Sequence, residues 1–152
     1  MINNFTNLNI TQVTWHEAQQ NLVLVRSTVF IEEQHVAPDF EWDDRDQQAV
    51  HLLATINNEA IACLRIIEYR KIGRMAVLKP WRGMGIGRAL LIKAINICIA
   101  QGSQQISLSA QTHAIGFYSK AGFKTISQEY TDVNIAHVDM QLNVQDNDRF
   151  TR

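Results

Sequence analysis

The spacing of apolar and polar positions changes several times along the chain, and each change marks a predicted element. Leu8 to Val13 alternates weakly and predicts a first strand. Thr14-x-x-Glu17 has the form of a capping box, in which two side chains satisfy free backbone amides at a helix start. The helix it opens is amphipathic, with Trp15, Ala18, Leu22, Val25 and Val29 on one face. From Glu32 to Gln48 the periodicity dissolves into acids, Pro38, Phe40 and Trp42, which predicts a long loop. Loops of that length in compact domains are usually functional. His51 to Ile56, Asn57-Asn58 and Ala60 to Ile67 read as a hairpin, because Asn tolerates the positive φ of a tight turn. Arg74 to Leu78 is the next strand, stopped by Pro80. Gly85 to Gln101 is apolar nearly all round, with Lys93 and Asn96 as its main polar positions, and predicts a largely buried helix. A short strand, Ile106 to Ala110, precedes a helix from Thr112 to Ala121 that Gly122 ends. Thr125 to Tyr130 and His137 to Leu142 form a predicted closing antiparallel pair. Strands both precede and alternate with helices, so the expected class is α/β (α+β), a mixed sheet with helices on both faces. Residues 1–142 are expected to form one domain, and 143–152 a polar, frayed C-terminal tail.

Composition narrows the function. The chain has 152 residues, of which 46% are hydrophobic and 19% charged, as in an ordinary globular domain with a substantial core. A net charge of −1 argues against general nucleic-acid binding. No apolar run approaches the roughly 18 residues of a membrane span, and the start, Met1-Ile2-Asn3-Asn4-Phe5, does not read as a signal peptide. Cys63 and Cys98 fall in a predicted strand and helix and have no metal-binding spacing. They read as small buried hydrophobes, which suggests a reducing, cytoplasmic setting and no metal. Charge is segregated: seven of the 15 acids lie between Glu32 and Asp46, and eight of the 14 Lys and Arg between Arg65 and Lys93. Either cluster reads as a solvated face, or as a cation-attracting rim and an anion-attracting surface respectively.

The candidate chemistry is concentrated in Arg82-Gly83-Met84-Gly85-Ile86-Gly87-Arg88, between a predicted strand and the apolar helix. Glycine allows close approach of a backbone to a ligand. The first amides of a helix lack partners and carry its positive end, so such a loop can cradle an anion, most often a phosphate. A turn that merely permits tight packing is the alternative. A Walker-type loop fails because Arg88 and Ala89 follow Gly87, and the dinucleotide fingerprint fails because Arg88 and Leu90 stand where glycine is needed.

The stretch resembles the Arg/Gln-x-x-Gly-x-Gly/Ala signature of the GNAT superfamily of N-acetyltransferases, as Arg82-x-x-Gly85-x-Gly87. Ala114-Ile115-Gly116-Phe117-Tyr118-Ser119-Lys120-Ala121-Gly122-Phe123 is similar to the family's Ala-x-x-Phe-Tyr-x-x-x-Gly-Phe. Val29-Phe30-Ile31-Glu32-Glu33-Gln34, Asp43-x-x-Asp46, Ala49-Val50-His51 and Ile135-Ala136-His137-Val138-x-Met140 resemble the ElaA/YjcF-like branch. The resemblance implies the GNAT fold, with a central mixed sheet of six to seven strands, and acetyl-CoA as co-substrate. Its pyrophosphate would sit on the amides of Gly83, Met84, Gly85, Ile86, Gly87 and Arg88 after Arg82. Its pantetheine would run as an added strand beside Met75, Ala76 and Val77, with the Met75 amide aimed at the thioester carbonyl. Lys120 would meet the adenosine phosphate, unless it is simply solvated. Gln111 departs from the asparagine many members place there.

The implied reaction is direct attack of a primary amine on the thioester. An aliphatic amine with a pKa near about 10.4 is mostly protonated at neutral pH, so its proton must be taken. Tyr118 matches the family's acid for the leaving sulfur, although its helical face with Ala114, Phe117 and Ala121 also suits a core tyrosine. Glu33 is the expected base, with His51, His113 and His137 as alternatives. The acidic 32–46 stretch would draw in a small cationic amine. A homodimer is a candidate assembly. A non-catalytic acyl-CoA sensor and a transferase for protein N-termini or lysines are the competing readings.

Overall fold

Thr14 caps the first helix as its motif predicts: its hydroxyl accepts the Glu17 N–H at 3.2 Å, and the Glu17 carboxylate accepts the Thr14 N–H at 2.7 Å. The computed structural model describes residues 7–146, so residues 1–6 and the end of the predicted tail, 147–152, lie outside the described residues. The elements are β1 (Leu8–Val13), α1 (Trp15–Arg26), α2 (Pro38–Glu41), β2 (Val50–Ile56), β3 (Glu59–Ile67), β4 (Lys71–Val77), α3 (Ile86–Ala100), β5 (Gln105–Gln111), α4 (Ile115–Lys120), β6 (Lys124–Thr125), β7 (Tyr130–Asp132) and β8 (Ile135–Asn143). One sheet runs β1-β2-β3-β4-β5-β8-β6, with β7 also on β8. Only β4 and β5 are parallel; the other pairs are antiparallel.

The alternation of strand side chains divides the interior in two. Leu52, Ala54 and Ile56 face α3, where Ile86, Leu90, Leu91, Ala94, Ile95 and Cys98 meet them. Leu53, Cys63 and Ala76 face α1, against Ala18, Leu22, Val25 and Val29. Helices thus cover both faces. The sheet has eight strands because the expected strand over 125–130 is interrupted. The Asp139 N–H, which would donate to a backbone carbonyl in an unbroken ladder, donates instead to Ser127 Oγ at 2.8 Å. The inserted hydroxyl separates β6 from β7. At the other end, β8 reaches Asn143, and Val144 is buried with its N–H donating to the Gln104 carbonyl at 3.0 Å, so this part of the tail is docked rather than frayed.

The 32–48 stretch differs most from its prediction. Helix α1 continues as a π-helical segment, Ser27–Glu33, and α2 follows after four residues, of which the second, His35, is left-handed. Its acids divide: Glu32, Asp39 and Asp44 are exposed, while three others meet arginines in a cluster. Glu41 accepts from Arg26 Nε at 2.7 Å, Asp46 accepts from Arg26 Nη1 at 2.7 Å and Arg65 Nη1 at 3.0 Å, and Asp43 accepts from Arg65 Nη1 at 2.9 Å. Arg74 lies 3.2 Å from Glu41 and 3.3 Å from Asp43. Arg26, Glu41 and Asp46 are each almost fully buried. A buried charge requires a partner, so Glu41 and Asp46 turn inward with their guanidiniums, and Asp43 closes the cluster from its exposed edge. Trp15 and Trp42 lie against the Arg26 guanidinium, 5.6 and 5.0 Å from their ring centres. His51 closes the cluster with its Nε2–H donating to the Asp46 carbonyl at 2.9 Å.

Removing one member strands the others. Arg26→Met should destabilise the protein by about 3–5 kcal/mol in denaturant titrations, because Glu41 and Asp46 would lose a buried counter-ion. Burial pushes the His51 imidazole below its ordinary value of 6.5, with Asp46 opposing and Arg26 and Arg65 assisting. The unfolded chain therefore binds this proton more readily, and stability should be lost as pH falls below about 6.5. His51→Gln should reduce the slope of melting temperature against pH in that range; an unchanged slope would remove His51 from the account.

Candidate active site

The two central strands pair only at Lys71–Ser107 and Ile72–Leu108, and beyond that point they diverge. The cause lies in β4. Between the pairs Arg65–Gly73 and Cys63–Ala76, β3 has one residue and β4 has two, Arg74 and Met75. This bulge, with Arg74 at φ 47°, bends β4 away from β5. The Leu78 N–H donates to the Ile61 carbonyl at 2.9 Å, which makes Ala62–Val77 a non-hydrogen-bonded pair. Hence the N–H and C=O of Val77 point away from β3, into the splay, and by alternation those of Met75 share that direction. Ala76, expected to bind cofactor with them, is turned toward β3 by the same alternation, and its side chain is buried beneath α1.

The splay leads to the start of α3. Gly83 and Gly85 have φ of 77° and 86°, and no side chain caps the helix. Its first helical bond runs from the Ala89 N–H to the Gly85 carbonyl, so the amides of Ile86, Gly87 and Arg88 have no partner within the helix. A Cβ on Gly83 or Gly85 would meet nothing within 4 Å, so open space lies above this row of donors. Gly87 differs. A Cβ there would lie 3.6 Å from Phe117 and 3.7 Å from Val77, in ordinary contact. Arg88, in the first turn of α3, is exposed and borders a concavity on the outer flank of that helix. Lys120 is exposed at the end of α4, while Met84 is half-buried. A shallow apolar concavity lined by Ala89, Ile92, Asn96 and Ile97 lies on the outer flank of α3, away from the splay.

The signature arginine does not reach toward this mouth. Arg82 Nε donates to the Val77 carbonyl at 2.8 Å, and its two terminal nitrogens donate to Glu33 at 2.7 and 2.8 Å. The Arg82 hydrogen bond outweighs partial burial and holds the Glu33 carboxyl below its usual range. A carboxylate held in this way is a latch between the π-helical segment and the glycine loop, and a weak proton acceptor. The neighbouring Gln34 exchanges amide hydrogen bonds with Gln111 at 2.8 and 3.3 Å, so the glutamine that departs from the family pattern fastens the same segment to β5.

Tyr118 projects from α4 into the edge of the core, its ring edge-on to Phe117 and Phe123 at 5.1 and 6.1 Å. Burial pushes its phenol up to about 12, so the proton is retained at neutral pH. Of the histidines, His51 is committed to the ion cluster and His113 is exposed in the turn before α4. His137 Nδ1 lies 2.7 Å from the Ile135 carbonyl. A carbonyl only accepts, so Nδ1 carries a hydrogen, and the ring is buried. His137 pairs with Gln111 across β5 and β8, on the α1 side of the splay. Beside it, Tyr130, Ser109 and Asp139 form a hydrogen-bonded group that sequence reasoning missed. The pairing that assembles them follows from strand register, which no local motif announces. Among the described residues no helix is long and apolar enough to cross a membrane, and no group of three or more His, Cys, Asp or Glu could hold a metal ion.

The acetyltransferase (GNAT) domain family matches residues 14–144. YyaT, an uncharacterized protein of Bacillus subtilis, is 33% identical over 146 residues, covering 92% of this chain and 99% of its own. YjcF of the same organism, named an uncharacterized N-acetyltransferase, is 31% identical over 129 residues, covering 82% and 91%. The crystal structure of Escherichia coli ElaA superposes with a TM-score of 0.80 at 25% identity, over 90% of this chain and 99% of that one.

The open space above Gly85 and its left-handed φ give separable expectations. Gly85→Ala should destabilise the fold by about 1–2 kcal/mol and weaken coenzyme A binding. Gly87→Ala should leave both within twofold, as read by melting and by calorimetric titration with coenzyme A.

Proposed function

The chain belongs to the GNAT family of acetyltransferases, and on that premise we propose that it moves an acetyl group from acetyl-CoA to a small primary amine by direct attack. The observation that carries this reading is the splay of β4 from β5, where unpaired main-chain groups continue into the free amides of α3. Backbone donors and acceptors left without a strand partner call for one, and an extended arm with amides and a diphosphate satisfies both ends. Acetyl-CoA, when bound, supplies an activated acetyl thioester.

The residues then divide the work. Val77 offers its N–H to the arm, while its carbonyl also receives Arg82. The Met75 N–H would face the acyl oxygen that gains charge during attack, a contact worth roughly 3–4 kcal/mol in comparable sites. Arg82 and Glu33 hold the loop rather than touching the reacting atoms. Tyr118 keeps its proton at neutral pH and is the proposed proton donor to the departing sulfur. We assign the amine's proton to buried His137, whose Nδ1 is engaged by the Ile135 carbonyl and whose remaining ring nitrogen is Nε2. Glu33 is less suited to that role, because pairing with Arg82 favours its ionised form too strongly.

Thiol release from acetyl-CoA with a panel of amines tests the assignment. Tyr118→Phe should lower kcat tenfold or more with coenzyme A affinity kept, and His137→Gln should lower kcat by a similar factor. Acetyl-CoA at one hundred times its dissociation constant should stabilise the fold by about 2.7 kcal/mol. Stabilisation without turnover on any amine would favour the sensor; no stabilisation would overturn the cofactor assignment itself.

A further inference from the structure

Four of the seven acids that the sequence offers as a lure for cations are already matched, and the other three, Glu32, Asp39 and Asp44, are exposed. Glu33 is held by Arg82, Glu41 by Arg26 and Arg74, Asp43 by Arg65 and Arg74, and Asp46 by Arg26 and Arg65. Asp139 is different. It is half-buried, its Oδ1 accepts the Tyr130 hydroxyl at 2.6 Å, and no Lys or Arg among the described residues forms an ion pair with it. Its Oδ2 accepts no hydrogen bond among the described residues. Tyr130 has one proton and gives it to Asp139, so the Ser109 hydroxyl donates to Tyr130, and the lone pairs of Ser109 are left outward. Burial and the bond to Asp139 raise the Tyr130 phenol, which keeps this direction fixed. The face of Tyr130 lies against His137, 6.0 Å between centres and 18° from parallel.

The position of this group matters as much as its chemistry. Ser109 is the first β5 residue beyond the last pair with β4, and it is opposite Asp139 on β8. Leu108, Ala110, Val138 and Met140 turn to the α3 side, so Ser109, Gln111, His137 and Asp139 turn to the α1 side. A carboxylate is therefore stationed at the mouth of the splay, on the face opposite α3, with His137 on the same face of β8. In a partly desolvated site an uncompensated carboxylate is unfavourable, and a cation that enters is attracted more strongly than in water.

We infer that Asp139, oriented by Tyr130 and Ser109, receives the ammonium group of the acceptor amine. This deepens the acetyl-transfer reading and rests on it for the identity of the acceptor. The group selects aliphatic amines, which arrive protonated, over neutral nucleophiles of the same size. Asp139 supplies the charge, and Ser109 accepts an N–H.

The test compares wild type, Asp139→Asn and Tyr130→Phe with n-butylamine, cationic at pH 7, and with aniline, neutral there. Thiol release from acetyl-CoA should show the KM for n-butylamine raised tenfold or more in Asp139→Asn, with KM for aniline and for acetyl-CoA within twofold. Tyr130→Phe should fall between, since it keeps the charge and loses its orientation. Equal effects on both amines, or none, would overturn the inference while leaving acetyl transfer standing. Should wild type turn over neither amine, the acetyl-transfer reading fails first, and binding decides the rest. Amide NMR shifts at Ser109, His137 and Asp139 should follow n-butylamine but not n-butanol in wild type, and should vanish in Asp139→Asn. Shifts that survive that substitution would sink it.

Discussion

Three guanidiniums and three carboxylates beneath Trp15 and Trp42 hold the bend of β4 that opens the cleft. Arg26 closes α1, Arg65 belongs to β3 and Arg74 occupies the bulge of β4, so their common anions tie the 41–46 segment to all three elements. Arg74 also donates to the carbonyls of Phe40 and Glu41 at 3.3 and 3.0 Å. A non-glycine residue at positive φ is unfavourable by about 1–2 kcal/mol, and these contacts offset that strain. Buried ion clusters contribute less net stability than well-packed apolar groups of the same volume, and their clearest use is to specify one arrangement. Here the arrangement is a strand bent at its middle residue. The splay and the ion cluster are thus two sides of one constraint.

The cleft is built from two kinds of material. Its donor half is main chain: Val77, Met75 and the first turn of α3, aligned by a bulge and two left-handed glycines. Its acceptor half is side chain: Ser109, Gln111, Tyr130, His137 and Asp139 on the far face. The segment that follows α1 is fastened to both halves, by Glu33 to Arg82 and by Gln34 to Gln111. A displacement of the glycine loop therefore reaches the acceptor wall through two adjacent residues.

Much of this was legible in the sequence. The capping box, the Asn57-Asn58 turn and the apolar run over 85–101 each state a local preference that the fold keeps, and the glycine loop stands at a strand-to-helix junction as its motif implies. Local pattern fails where partners are distant. Nothing near Glu41 or Asp46 shows that Arg26 and Arg65 will neutralise them, so acids that read as a rim are interior. Nothing near Glu33 shows Arg82, 49 positions away. Asp139 and Tyr130 looked ordinary because an interrupted strand and the β5–β8 register bring them together.

A ligand gripped through peptide groups makes few demands on the residues that carry them. Side chains along β4 can drift over generations, provided the bend survives, and the donor will still be recognised. The opposite wall has no such freedom, since each exchange there alters what is admitted. Kinship among such chains consequently advertises the shared donor, and says little about which molecule each one modifies.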